Sequence, residues 1–207
     1  MILLTIPVGM NQTNCYVVGC ETTHQGAVID PGGQPDRIVR KIEQHDLSIE
    51  FVLITHAHFD HIGGIADVVE ATGAQLAIHA DERPLLEHGG GASMWGLNVP
   101  TSPAPDIELS EGEILEVGEL SFEVLLTPGH SPGGVTFYEP DEGVAFVGDV
   151  LFSRGVGRAD LPGADRRTLM RSIKEVLFKL PGDTVVYPGH GPETTVAEER
   201  RSNPWVR

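Results

Sequence analysis

ITHAHFDHIGG, residues 54–64, sets His56, His58, Asp60 and His61 within six positions, at the end of the apolar run FVLIT. At this composition an H-x-H-x-D-H pattern arises by chance in roughly one chain of this length in a thousand. FVLIT at 51–55 lacks polar alternation, as expected of a strand buried on both faces, and the following IADVVEA has helical spacing. The histidines therefore fall between a buried strand and a helix, where α/β sheets place their ligands.

Working outward, LLTIP, CYVVG and GAVID read as short strands. PDRIVRKIEQHD reads as a helix with Pro35 in its first turn and Ile38 and Ile42 on one face. Downstream, QLAIH predicts a strand and DERPLLEHG a short helix. Residues 89–106, GGGASMWGLNVPTSPAPD, have no periodicity, as in a binding loop or lid. Met94 and Trp95 at its centre either wall a pocket or pin the loop to the body. IELS, EILEV, LSFEVLLT, VTFYE and VAFVG predict strands. A helix follows at 165–180, with Leu169, Ile173, Val176 and Leu180 as its core stripe. VVYP is a final strand and PETTVAEERR a final helix. Many strands flanked by helices predict two sheets packed face to face with helices outside.

Pro-Gly-His occurs twice, ending in His130 and His190, each time after an apolar strand, and VAFVG ends in Asp149. If these exits converge with the 56–61 cluster, five imidazoles and two carboxylates share one small volume. Without a cation, desolvation and mutual repulsion would make that costly. Imidazole and carboxylate together suit divalent metals. His56 and His58, at i and i+2, point the same way in an extended segment. With His130 they make a three-nitrogen site; Asp60, His61 and His190 make a second, and Asp149 is placed to bridge. A water shared by two such ions is acidified from 15.7 to about 7, giving hydroxide as the nucleophile. No G-x-S-x-G elbow competes for that role. His24, His45, His79 and His88 fall outside the pattern and read as surface or satisfied polar residues.

The 207 residues carry a formal charge of −16, which disfavours nucleic acid and anionic membranes as partners. MILLTIPVG has no basic leader, and no apolar run approaches a membrane span. The only cysteines, Cys15 and Cys20, sit on one strand with opposite orientation, which argues against a bond between them. Few cysteines and no leader predict a cytoplasmic protein. Seven of the 14 basic residues lie between 154 and 179: Arg154, Arg158, Arg166, Arg167, Arg171, Lys174 and Lys179. Those of the helix read as a solvated face. Arg154 and Arg158, on the loop after Asp149, read as contacts for an anionic substrate.

THAHFDH, PGHSPGG, GDVLF and PGHG, in that order, resemble the metallo-β-lactamase superfamily over almost the whole chain. GDVLFSRGVGRADLPG is similar to the short glyoxalase II-like hydrolases within it. The resemblance implies an αββα sandwich of two mixed β-sheets with helices on both outer faces. It implies a single domain over 1–207, without the C-terminal helical domain of the long glyoxalase II enzymes. The implied function is hydrolysis of S-lactoylglutathione or a related anionic thioester, with attack by a metal-bridging hydroxide. His56, His58 and His130 would hold one ion, Asp60, His61 and His190 the other, with Asp149 between them and Asp60 also orienting the nucleophile. Zinc is the first expectation for both ions, with iron or manganese also suited to these donors. Where long-form relatives carry a lysine and a tyrosine for glutathione, this chain has Arg158 and Asp160. Two other readings share the scaffold: a glutathione persulfide dioxygenase with one iron, and a hydrolase of another ester or lactone. The composition leaves the oligomeric state open.

Overall fold

Ile49 and residues 51–54 are apolar on both faces because each face meets a different core. Ile49, Val52 and Ile54 pack with Ile38, Ile65 and Val68, whereas Leu53 packs with Phe122, Phe137 and Phe146. Ile49 and Val52 share a core despite their odd spacing because Glu50 is an extra residue. Pairing with the neighbouring strand passes from Gly26↔Ile49 to Ala27↔Phe51, and such a bulge reverses the alternation.

The computed structural model describes residues 1–206. One six-stranded sheet runs β1 (Ile2–Val8), β2 (Thr13–Gly19), β3 (Gln25–Ile29), β4 (Ser48–Leu53), β5 (Gln75–His79) and β6 (Ile107–Leu109), in that spatial order. β1 to β3 are antiparallel neighbours, and β3 to β6 are parallel. Parallel neighbours need crossovers. These are α1 (Pro35–Gln44) before β4, then α2 (Phe59–Ile62) and α3 (Ile65–Thr72) before β5, then α4 (Arg83–Glu87) and a 3₁₀ stretch, Gly89–Trp95, before β6.

The second sheet begins with the meander β7 (Ile114–Val117), β8 (Leu120–Leu126), β9 (Val135–Glu139) and β10 (Val144–Gly148). A small hairpin, β11 (Leu151–Phe152) and β12 (Gly155–Val156), and α5 (Arg166–Glu175) follow outside it. β13 (Val185–Pro188) then returns parallel to β10, β14 (Thr194–Thr195) pairs antiparallel at the edge, and α6 (Val196–Ser202) ends the fold. The sheet order is β14-β13-β10-β9-β8-β7. Two mixed sheets enclose a central core, α1 to α4 cover the first sheet, and α5 and α6 cover the second. This is the αββα sandwich expected from the sequence.

Three expectations shift in detail. The helix predicted over 165–180 stops at Glu175, with Val176 as its C-cap at φ −113°, ψ −72° and its N–H still bonded to the Ser172 carbonyl. A 3₁₀ turn, Leu177–Lys179, then turns Leu177 into the core, while Val176 and Leu180 are only partly buried. The final helix begins late: Thr194 and Thr195 pair with β13, and Thr195 caps α6 by accepting from the Glu198 N–H. Residues 89–95, predicted without structure, form the 3₁₀ stretch, kinked where Gly90 and Gly91 take φ of +64° and +75°. Cys15 and Cys20 are free and point into different cores, as their spacing predicted. No described helix is long and apolar enough to cross a membrane.

Candidate metal centre

The four strands that carry the motif residues deliver them to one place. β4 leads into His56, His58 and, on α2, Asp60 and His61. β8, β10 and β13 run in the same direction in the second sheet and lead into His130, Asp149 and His190. The Val135 N–H donates to the Thr55 carbonyl at 2.9 Å and the Asn14 N–H to the Gly189 carbonyl at 2.7 Å, so the two sheets are joined beside the cluster. Gly189 must lack a side chain, since a Cβ there would collide with Asp149 Oδ1.

Among the described residues three groups have donor atoms within 4.8 Å of one another: a wholly buried one of Asp30, His56 and His61, and two nearer the surface, His56, His58 and His130, and Asp60, His61 and His190. Asp149 lies between the latter two. Its Oδ1 is 3.4 Å from His61 Nε2, and its Oδ2 is 3.7 Å from His130 Nε2 and 3.5 Å from His190 Nε2. All seven residues singled out in the sequence therefore meet.

The histidines are also oriented from behind. His61 Nδ1 donates to Asp30 Oδ2 at 2.9 Å, His130 Nδ1 to the Arg158 carbonyl at 2.9 Å, and His190 Nδ1 to the Asn11 carbonyl at 3.2 Å. His56 Nδ1 lies 3.1 Å from Thr55 Oγ1, which itself donates to Asp30 at 2.6 Å. Each of these rings thus presents Nε2 to the cluster, as rings that hold metals do. His58 alone faces inward by Nδ1, 2.9 Å from His130 Nε2. His56 Nε2, His61 Nε2 and Asp149 Oδ1 are buried without a hydrogen-bond partner. Orphaned donor and acceptor atoms converging on one volume fit a divalent cation.

The charge states agree. Burial holds His56 well below the ordinary histidine range, and burial with the neighbouring His130 holds His58 down to about 3. Burial would also lower His61, but the Asp149 and Asp30 carboxylates outweigh it and hold it well above that range. Burial acts the same way on His190 and is outweighed by hydrogen bonds to Asp149 and Asp60, which bring it to about 9. Burial alone would raise Asp60 and Asp149. Contacts with His190 and His61 instead keep Asp60 low, and the same pair, His61 foremost, keeps Asp149 low.

Three supporting residues stand outside the motifs that carry the seven converging residues. Asp30, at the exit of β3, also accepts from the Thr55 N–H at 2.8 Å. Glu82, fully buried, accepts from the Ala57 N–H and the Gly133 N–H at 2.7 Å each, tying the 56–61 loop to the loop around His130. Asn14 donates to the Pro188 and Gly191 carbonyls and shapes the loop of His190. GAVID at a strand end was the available signal for Asp30; Glu82 and Asn14 bond to backbone remote in sequence, which no local pattern reveals.

A cleft of about 690 Å³ opens above His58, Asp60, His130, Asp149 and His190. Its walls are mostly apolar, with Met10, Phe59, Met94, Trp95, Phe152 and Leu161 among them. Met94 and Trp95 thus wall a pocket, and Gly90 in the same stretch allows close approach to α2, since a Cβ there would strike the Phe59 backbone. Arg158 lines the cleft, and its guanidinium stands 6.0 Å from the Trp95 ring centroid. Arg154 does not line it. Arg154 is exposed in a left-handed conformation at φ +60°, with its N–H bonded to Glu199. The basic residues of α5 are exposed and outside the cleft. His24, His45, His79 and His88 each have a backbone partner and belong to none of these donor groups.

A sequence model of the Metallo-beta-lactamase superfamily matches residues 8–190. The chain is 38% identical to hydroxyacylglutathione hydrolase GloC of Haemophilus influenzae over 204 residues, covering 97% of this chain and 96% of that one. Among solved structures it is similar to BLEG-1, a B3 metallo-beta-lactamase, with a TM-score of 0.94 and 37% identity over 99% of each chain. It is also similar to TTHA1623 in a di-iron-bound form, with a TM-score of 0.90 and 42% identity over 98% of this chain and 99% of that one.

Proposed function

This chain belongs to the metallo-beta-lactamase superfamily, and on that premise we propose that it is a binuclear metal-dependent hydrolase of thioesters such as S-lactoylglutathione. The observation that carries the metal reading is the pair of three-donor groups on either side of Asp149, with three orphaned atoms directed between them. His56, His58 and His130 would hold one cation, Asp60, His61 and His190 the other, and Asp149 both. The relative that binds two irons supports the number of ions; zinc, iron and manganese all suit these donors. The thioester reading is supported by the likeness to GloC.

Two divalent cations in this cradle would supply Lewis acidity, which acidifies water and stabilises negative charge on a carbonyl oxygen. The protein's own groups supply the rest. Asp60, kept ionised and held by Asn11 Nδ2 at 2.9 Å and Thr13 Oγ1 at 3.2 Å, orients the nucleophile from the cleft floor. The apolar walls exclude bulk water and strengthen every polar contact below them. A thiolate leaves with a conjugate acid of pKa about 8.5, so no dedicated general acid is required. Arg158 receives a substrate carboxylate at the rim, several bonds from the reacting carbonyl. Arg154, outside the cleft, has no part in this reading.

The test is hydrolysis of S-lactoylglutathione by protein of measured metal content, with oxygen uptake on glutathione persulfide followed in parallel. Thioester turnover with two ions per chain is expected. Oxygen uptake with one iron and no hydrolysis would replace the proposal with the dioxygenase reading. The likeness to BLEG-1 favours a second hydrolytic reading, on β-lactams, which the same preparation tests with a chromogenic cephalosporin. Arg158→Ala should raise KM for the glutathione thioester more than it lowers kcat, costing about tenfold in kcat/KM for an exposed charge-assisted contact. Steady-state kinetics with a neutral thioester as control checks this, and equal losses on both substrates contradict the anchor.

A further inference from the structure

The single arginine among the described residues that line the cleft is already engaged. Arg158 Nε and one terminal nitrogen donate to the two oxygens of Asp160, both at 2.9 Å. This is the parallel two-point geometry with which a guanidinium grips a free carboxylate. Trp95 stands beside the same guanidinium. Asp160 is exposed and, unlike Arg158, does not line the cleft. Its carboxylate therefore occupies the Nε/Nη2 edge of Arg158, one of the two edges at which a guanidinium grips a carboxylate, while contributing nothing to the walls.

We propose that Asp160 is a positioning residue that sets the charge selectivity of the cleft, as an internal competitor whose carboxylate an anionic substrate displaces from, or meets in repulsion at, Arg158. The proposal rests on the anchoring role given to Arg158 above. The rest of the lining is largely apolar, so with the pair closed the upper cleft carries almost no net charge. An anionic arm either opens the pair or approaches the free edge of Arg158 against the charge of Asp160, whereas an uncharged arm lies against Trp95 and Met94 without disturbing it. An exposed ion pair is weak, because solvent screens it and its side chains are free to move. Asp160 therefore tunes preference rather than blocking entry. Asp160→Asn removes the competitor and its charge while keeping size.

The experiment measures calorimetric binding of two non-hydrolysable thioethers to metal-loaded protein: S-methylglutathione, and its N-acetylated bis-amide, which carries no charge. Asp160→Asn is expected to tighten S-methylglutathione by about three- to tenfold at low salt, with the gain shrinking as salt is raised. The uncharged analogue should change less than about twofold on the same reasoning. Asp160→Glu, which keeps a carboxylate, should resemble the unsubstituted protein. In an Arg158→Ala background, Asp160→Asn should give no gain. A gain that persists there would show a diffuse charge effect and overturn the proposal. Weaker binding by Asp160→Asn would overturn it too, by making Asp160 a brace for the binding pose. So would undetectable S-methylglutathione binding in every variant. Thioester hydrolysis measured on the same samples keeps the two readings apart. The binding pattern without turnover removes the reaction and keeps the selectivity, and turnover with no binding difference does the reverse.

Discussion

Asp149 turns its two oxygens to histidines from both donor groups, so its removal should be felt by both ions. Asp149→Ala is expected to lower metal content below two per chain and kcat/KM by at least about a hundredfold. His79→Ala, whose ring accepts from the Asp81 N–H and stands against Gly133 but belongs to neither donor group, should change neither. Elemental analysis and thioester kinetics on the two variants decide this. The protonation states lead to a second expectation. His190, raised to about 9, holds a proton in the folded metal-free protein that an unfolded chain releases near 6.5. Its stabilisation is fully present below 6.5 and is lost as pH rises through 9. Asp60 and Asp149, both depressed, contribute stability that fades only in acid and stays flat across this window. The metal-free protein should thus lose thermal stability from pH 6.5 to 9, while metal binding, which displaces that proton, tightens over the same range. Melting of chelated protein against pH checks the first part, and proton release on metal titration the second. At this scale all seven converging residues were legible, because His and Asp at strand ends are a local pattern. Asp30 and Glu82 were not, because what defines them is a ring or an N–H remote in sequence.

The loops that carry the donors depend on buried carboxylates as much as on strands. Glu82 begins no motif, yet it ties the segment after β4 to the segment after β8 through Ala57 and Gly133. Glu82→Ala would leave both N–H groups buried without an acceptor and should cost about 3 kcal/mol. Urea unfolding measures the loss, and a cost below 1 kcal/mol would mean that the loops hold their form without it. Among elements, strands and helices with a clear apolar period were read correctly. Errors came where two signals overlapped. Thr194 and Thr195 are β-branched and suit an edge strand, and Thr195 with Glu198 also forms a helix cap. The apolar run past Glu175 continues the helical stripe, but Leu177 reaches the core only through a tighter turn. In residues 89–95, left-handed glycines conceal a 3₁₀ stretch that has no apolar period.

Across the whole molecule, the two sheets share a central core built on Phe122, Phe137 and Phe146 from one side and Leu53 and Ile29 from the other. The first sheet supplies His56, His58, Asp60 and His61, and the second His130, Asp149 and His190. Ions that bind only the docked arrangement stabilise it by mass action, so chelation should lower the melting temperature by several degrees or more. Calorimetry before and after chelation, with metal restored as a control, checks this. An unchanged transition would place the ions outside the folding equilibrium. The division of donors between sheets has a consequence for reading any variant of this protein. On the proposed binuclear reading neither sheet alone would carry a complete donor set, and metal occupancy would report how faithfully the two halves are aligned. A substitution such as Phe137→Ala, deep in the core and touching no donor, would then register as a shortfall of bound ions even where the chain remains folded.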